Sequence, residues 1–212
     1  MGVIVSLIKW LLVLLGAATV YFGALMQFNH GGITGKIVSE IISPSLHDKS
    51  TGVYMDMANT LLDTGDITMA TIVRDKVNHE ALGETLEERI ENIEEAMSSV
   101  ATELQIREVG MLPLSEQVEL QTGEKQRFLK IYQYCKPTTA MDMVDYSDAF
   151  SAYLPCRIAL VQDKAGQLWL YSLNMDMMIY GGNPLPPHLY DLALQVQETI
   201  TAIQKAGATG DF

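Results

Sequence analysis

A chain of 212 residues, 48% apolar and 19% charged, can bury one sizeable core and is too apolar to be disordered as a whole. It carries 26 acidic and 14 basic residues, a formal net charge of −12, with no cluster of Lys and Arg to displace counterions, so no nucleic acid is expected as a partner. The acid excess is read as a solubility feature.

The chain opens on an apolar run over 10–28, whose most polar members are Thr19 and Gln27; Lys9 is the one charge in residues 2–28. At about 1.5 Å per residue such a helix crosses a hydrocarbon core of roughly 30 Å. Trp10, Tyr21 and Phe28 suit the interfaces as belt aromatics. A cleaved signal peptide fits less well. The apolar stretch is longer than a signal core, and no small-x-small site followed by a polar start occurs around Gly23 and Ala24. Residues 1–28 are therefore expected to be an uncleaved signal anchor, a single transmembrane helix. The α-amine and Lys9 lie on one side of it and Lys36 and Lys49 on the other, which favours the N-terminus inside and the remainder outside the cytoplasm.

Residues 29–65 are expected to be a connecting arm of short helices. Asn29-His-Gly-Gly32 breaks the first helix, Ile33, Ile37 and Ile41 recur at i+4, and Ser43-Pro44 ends that segment. Val53, Met57 and Leu61, with Tyr54, Ala58 and Leu62, predict a second arm helix closed by Gly65.

A domain is expected over 66–207, with 208–212 as a tail. Residues 67–73 read as a strand. Leu82, Leu86, Ile90, Ile93, Met97 and Val100 form a helical stripe; Glu84, Glu87, Glu88, Glu91, Glu94 and Glu95 cover the rest as a solvated face. Two strands follow at 104–112 and 127–134, separated by a polar turn at 121–125. Pro137 opens a short helix through Val144. The strongest signal in the chain comes next. Ile158 to Val161 and Leu168 to Leu173 flank Asp163-Lys-Ala-Gly166, a β-hairpin with Gly166 free to take φ > 0. Both faces of the second strand are apolar, which predicts a central strand with cover on each side. Pro186 and Pro187 open the last helix, with Leu189, Leu192, Val196, Ile200 and Ile203 on one face and Gly207 just past its end. The order β-α-β-β-(α)-β-β-α predicts an α+β fold: an antiparallel sheet with helices on one face.

Phe128-Leu-Lys-Ile-Tyr-Gln-Tyr-Cys-Lys-Pro137, then Leu154-Pro-Cys-Arg-Ile158 and the Gly166 hairpin, resemble the bacterial domain-of-unknown-function family 302 over roughly 66–205. The resemblance implies a TATA-binding-protein-like β-α-β(4)-α domain and, in the family's simplest members, dimers. Lys136 stands where many members have Asn. The stretch 170–182 resembles a membrane-anchored subgroup. For a bacterial protein the anchor then predicts a single-pass inner-membrane location with a periplasmic domain, and a membrane protein or a second copy as partner.

The chemistry-bearing residues are few. His30 and His47 fall in the arm, and His79 and His188 just before helices. No Gly-x-Ser-x-Gly, phosphate loop, Gly-x-Gly-x-x-Gly or His-Glu-x-x-His occurs, so an enzyme has little support and no cofactor is expected. Cys135 and Cys156 are read first as buried structural residues, then as a disulfide, then as reactive thiols, since Cys135 precedes a helix N-terminus. Met-Asp-Met recurs at 55–57, 141–143 and 175–177, and thioethers suit Cu(I). Met175, Met177 and Met178 share a face only if that segment is extended. Arg157, Asn174, Asp176 and Tyr180 are expected to meet at one end of the hairpin as a ligand site, or Arg157 and Asp176 to form a structural pair. The function that follows is a membrane-tethered, non-enzymatic ligand- or partner-binding module. The alternatives are a thiol-redox or sulfur-handling protein using Cys135 and Cys156, and a periplasmic Cu(I) binder.

Overall fold

The computed structural model of the chain describes residues 2–29, 32–42 and 44–211. His30, Gly31 and Ser43, on which part of the predicted helix break and helix stop rested, lie outside the described residues. The chain divides into two compact units, Met1–His47 and Asp48–Phe212.

The first unit holds α1 (Gly2–Asn29) and α2 (Ile33–Ile42). Within α1, Val5–Leu25 spans 21 residues at a mean hydropathy of 1.9, long and apolar enough to cross a membrane, and its most apolar window is entirely unburied. Trp10 is 66% exposed and Phe22 63%. A bare apolar helix of this length has no water-side remedy for its side chains.

The second unit begins with α3 (Ser50–Thr64), closed by Gly65 as predicted, which packs on α4 (Ile67–Ala70). The predicted strand over 67–73 is thus displaced. Asp66 accepts from the Thr68 backbone N–H and starts a turn of helix, and the chain becomes extended only at β1 (Ile72–Lys76). After α5 (His79–Leu82) comes α6 (Leu86–Glu103). Its start lies four residues beyond the first residue of the predicted stripe because Thr85 and Glu88 form a capping box there. Next come β2 (Arg107–Leu112), α7 (Leu114–Thr122) and β3 (Leu129–Cys135). The helix α7 was not foreseen; no apolar periodicity marks it, and Leu120 is 87% exposed. Then follow α8 (Pro137–Tyr146), a 3₁₀ segment (Asp148–Tyr153), a cis Leu154–Pro155 bond, β4 (Cys156–Gln162) and β5 (Leu168–Leu173). Gly166 takes φ 86°, as the hairpin requires. The chain ends with α9 (Asp176–Tyr180) and α10 (Pro187–Thr209).

All neighbouring strands are antiparallel, in the order β1-β5-β4-β3-β2. The fold is α+β, and α6 and α10 lie together on one sheet face. Ile158, Leu160, Leu168 and Leu170 are 0% exposed there, against Ile93, Met97, Ile200 and Ile203. Each such side chain contributes about 1.5–3 kcal/mol through burial. The cover expected on both faces of β5 is found on one. On the other, Trp169 and Tyr171 stay half-buried and Leu173 is 41% exposed. Trp169 finds polar company instead: its Nε1 donates to Asp163 at 3.0 Å, and the Arg74 guanidinium sits 5.2 Å from its ring centroid.

Candidate functional site

A departure from a filled core lies where β3 and β5 end and β1 and β4 begin. There a cavity of about 310 Å³ opens between the sheet, α8, the 3₁₀ segment and cis-proline loop, α9 and α10. Its wall is mostly carbon, from residues such as Ile131, Phe150, Leu154, Ala193 and Ile200. At this far end of the sheet it takes Ser172 from the helix-covered face and Ile131, Ala159 and Tyr171 from the other. A second cluster around Met143, Met175, Ile179 and Leu189 occupies that end and leaves the hollow beside it.

Both cysteines line this cavity. Cys156 lies opposite Tyr134 across the β3–β4 ladder, and Cys135 is one residue beyond Tyr134. By strand alternation Cys156 belongs to the helix-covered face and Cys135 to the other. Both are free thiols. Burial raises the Cys156 thiol to about 11, with Cys135 adding to the effect and Arg157 opposing it. Burial also raises Cys135. The thiolate expected at the head of α8 is therefore disfavoured: desolvation outweighs whatever the helix end contributes.

The four polar residues expected to converge do not form one site. Arg157 lines the cavity, while Asn174 and Asp176 line a separate hollow beside α3. Asp176 accepts from Gln197 Nε2 at 2.7 Å and makes no pair with Arg157; Asn174 Oδ1 accepts from the Asp176 backbone N–H at 2.9 Å. Tyr180 stacks edge-on against Tyr190, 6.1 Å between centroids, with Lys49 Nζ 4.8 Å from its ring centroid. Burial and a hydrogen bond with Tyr190 push the Tyr180 hydroxyl up to about 12. The turn at Gly181 is held from α3, whose Tyr54 hydroxyl donates to the Gly181 carbonyl. The hairpin exit, expected to hold one polar cluster, is thus divided by α9, which the alternation of polar and apolar residues over 170–182 does not reveal.

The same helix separates the methionines. Residues 175–177 are not extended, so Met175 and Met178 line the cavity while Met177, 46% exposed, lines the other hollow. Met143, from the second Met-Asp-Met, joins the cavity wall. Five sulfur side chains therefore border it: Cys135, Cys156, Met143, Met175 and Met178. Sequence reasoning missed Met143, Thr139 and Ser172 as site residues. The i+3 and i+4 spacing of α8 could have shown that Thr139, Ala140 and Met143 share a face.

Of the histidines, His188 is exposed, whereas His79 holds the hairpin to the rest of the domain. Its Nε2 accepts from the Leu168 backbone N–H at 3.1 Å. Burial, with help from Arg89 and Lys76, keeps its pKa below the ordinary value, consistent with a neutral acceptor.

The model of a family described as domain of unknown function DUF302 matches residues 82–207. A solved structure of an uncharacterized conserved DUF302 protein from Bacillus stearothermophilus is similar at 16% identity, with a TM-score of 0.47, covering 64% of this chain and 96% of that one. No curated protein matches the chain.

Proposed function

Because the chain belongs to the DUF302 family, whose name assigns no reaction, we propose its role from its own geometry: a membrane-tethered, non-enzymatic module that binds a small apolar ligand. The observation that carries this reading is the cavity of about 310 Å³, within the size range of small-molecule sites and walled by carbon with a few polar groups. The apolar Val5–Leu25 helix supports a single-pass anchor in the bacterial inner membrane. Lys9 beside the N-terminus supports the orientation with the domain in the periplasm. Tethering keeps the site close to the bilayer and to membrane partners, where a modest affinity suffices.

The test uses the full-length chain in lipid nanodiscs, analysed by native mass spectrometry after recovery from membranes of the expressing cell. A bound small molecule, lost when Ala140→Trp fills the cavity, is the expected outcome. Retention of the molecule in the filled variant, or its absence from the parent, contradicts the reading.

The five sulfur side chains around the hollow support a second reading, a site for a thiophilic ion such as Cu(I). It ranks below the first because the cavity is far larger than a single ion and both thiols are biased towards their protonated form. A thiol-redox role meets the same obstacle. Competition of the full-length chain with a Cu(I) chelator, lost in a Met175→Leu, Met178→Leu variant, would favour the metal reading.

A further inference from the structure

The charge of the cavity wall runs against that of the chain. The sequence has 26 acidic residues to 14 Lys and Arg, yet the lining contains Lys136 and Arg157 and no Asp or Glu. Both cations are exposed, and neither side chain makes a hydrogen bond or ion pair among the described residues. The remaining polar side chains of the wall are hydroxyls and thiols. There is no Asn or Gln, so every polar side chain there can donate a hydrogen bond.

Two of these donors belong to well-buried residues. Thr139 is 5% exposed and Ser172 9%, both line the cavity, and neither side chain has a hydrogen-bond partner among the described residues. Neither hydroxyl is sealed from solvent, since the buried side-chain atoms without a partner among the described residues are Tyr134 Oη and Gln204 Oε1, and both hydroxyls are open to donate to a molecule in the cavity. Thr139 lies in the first turn of α8, a helix of 10 residues with no side-chain cap, whose free N–H groups and positive dipole end favour an anion. The thiols, biased towards S–H, add no competing negative charge.

We propose that the cavity binds a single-chain aliphatic carboxylate, its tail against the apolar wall and its anionic head facing Arg157, Lys136 and Thr139. This rests on the ligand-binding reading and names its ligand class. A neutral ligand would make no use of the Lys136 and Arg157 charges. A cation would meet Arg157 and Lys136 with no carboxylate to balance them.

The test titrates the full-length chain in phosphatidylcholine nanodiscs with decanoate, decanol and decyltrimethylammonium, against empty nanodiscs. Decanoate is expected to bind at least about tenfold more tightly than decanol, the value of a charge-assisted hydrogen bond, and the cation to bind least. Arg157→Ala is expected to shrink the decanoate-to-decanol ratio towards one, and Arg157→Glu to move the preference to the cation. Binding of all three probes alike, or a ratio unchanged in an Arg157→Ala, Lys136→Ala variant, overturns the carboxylate assignment while leaving the cavity reading intact. Binding of none of them counts against both. Displacement of decanoate by nanodisc phosphatidylglycerol would reassign the head site to a membrane lipid and overturn the free-acid proposal.

Discussion

The Tyr132 hydroxyl donates to Glu94 Oε1 at 2.6 Å, tying β3 to α6, and Lys130 Nζ meets the same oxygen at 2.6 Å. Glu94 belongs to a helix face expected to be only solvated, yet it receives a nearly fully buried tyrosine. Charged hydrogen bonds of this kind contribute about 1.5–3 kcal/mol. Glu94→Ala is expected to lower stability by about that amount, read from the midpoint of denaturant unfolding. Tyr134, its neighbour but one, is also buried, and its hydroxyl finds no partner among the described residues. Tyr134→Phe is therefore expected to be neutral or to stabilise by up to about 1 kcal/mol.

The same pair predicts alkaline lability. Burial, then the carboxylate of Glu94, holds the Tyr132 hydroxyl well above the ordinary tyrosine range, and burial does the same for Tyr134. The folded state therefore keeps these protons more firmly than the unfolded one. Stability is full below about pH 10, where unfolded tyrosine is neutral, and falls as pH rises beyond it towards the higher folded values. Tyr132→Phe should flatten that decline, measured by denaturant unfolding across the alkaline range; an unchanged slope would contradict it.

Gly207 was expected just past the last helix. It lies inside α10, whose cap is Gly210 at φ 79°. A Cβ at Gly207 would meet Met97 Cγ at 2.7 Å and Leu170 Cδ1 at 3.0 Å, a close approach of α10 to α6 and the sheet. Helix propensity favours alanine there by about 1 kcal/mol, but overpacking costs typically 1–3 kcal/mol. Gly207→Ala is expected to destabilise on balance, and Gly207→Ser more. A thermal midpoint at or above the parent's would show that Met97 yields freely.

The legible parts of the chain were those set by local pattern. The Gly166 hairpin, the α6 stripe and the α10 stripe each repeat with the period of the element they form, and together they fix an antiparallel sheet with two helices on one face. The strand expected over 67–73 failed because Asp66 caps a helical turn whose residues, Ile67 to Ala70, are as apolar as a strand's. The helix α7 escaped notice because it is polar and packs at the margin of β3, its Ser115 hydroxyl bonded to the Leu129 backbone. Cys135, Cys156 and Arg157 were picked out by residue type, and the fold brings them to one cavity. Asn174, Asp176 and Tyr180 were chosen by proximity along the chain, and the short helix α9 turns them elsewhere. Thr139 was open to the i+3 and i+4 spacing of α8, whereas Ser172 reads as an ordinary strand residue until the cavity beside it is seen.

The thiols give a chemical prediction. With Cys156 raised to about 11 by burial, its alkylation by iodoacetamide should be slow at pH 8 and accelerate only as pH approaches that value. Thiol counting after denaturation without reductant should return two free thiols. A fast-reacting Cys156 at pH 8, or a disulfide-linked pair, would reopen the redox alternative.

The anchor is tested by extraction. Alkaline carbonate should leave the intact chain with the membrane pellet, and removal of residues 1–28 should release it. Recovery of the full-length chain in the supernatant would contradict a span at Val5–Leu25.

Where the ligand goes is read most directly from the methionine methyls. With ¹³C-methyl methionine in the full-length chain, addition of decanoate should shift Met143, Met175 and Met178, which border the cavity, and spare Met177, which does not. Met111, 50% exposed on β2 and outside the cavity lining, serves as a second control. Shifts confined to Met177 or Met111, with the three cavity methyls unmoved at saturating decanoate, would show that the cavity is not the binding site.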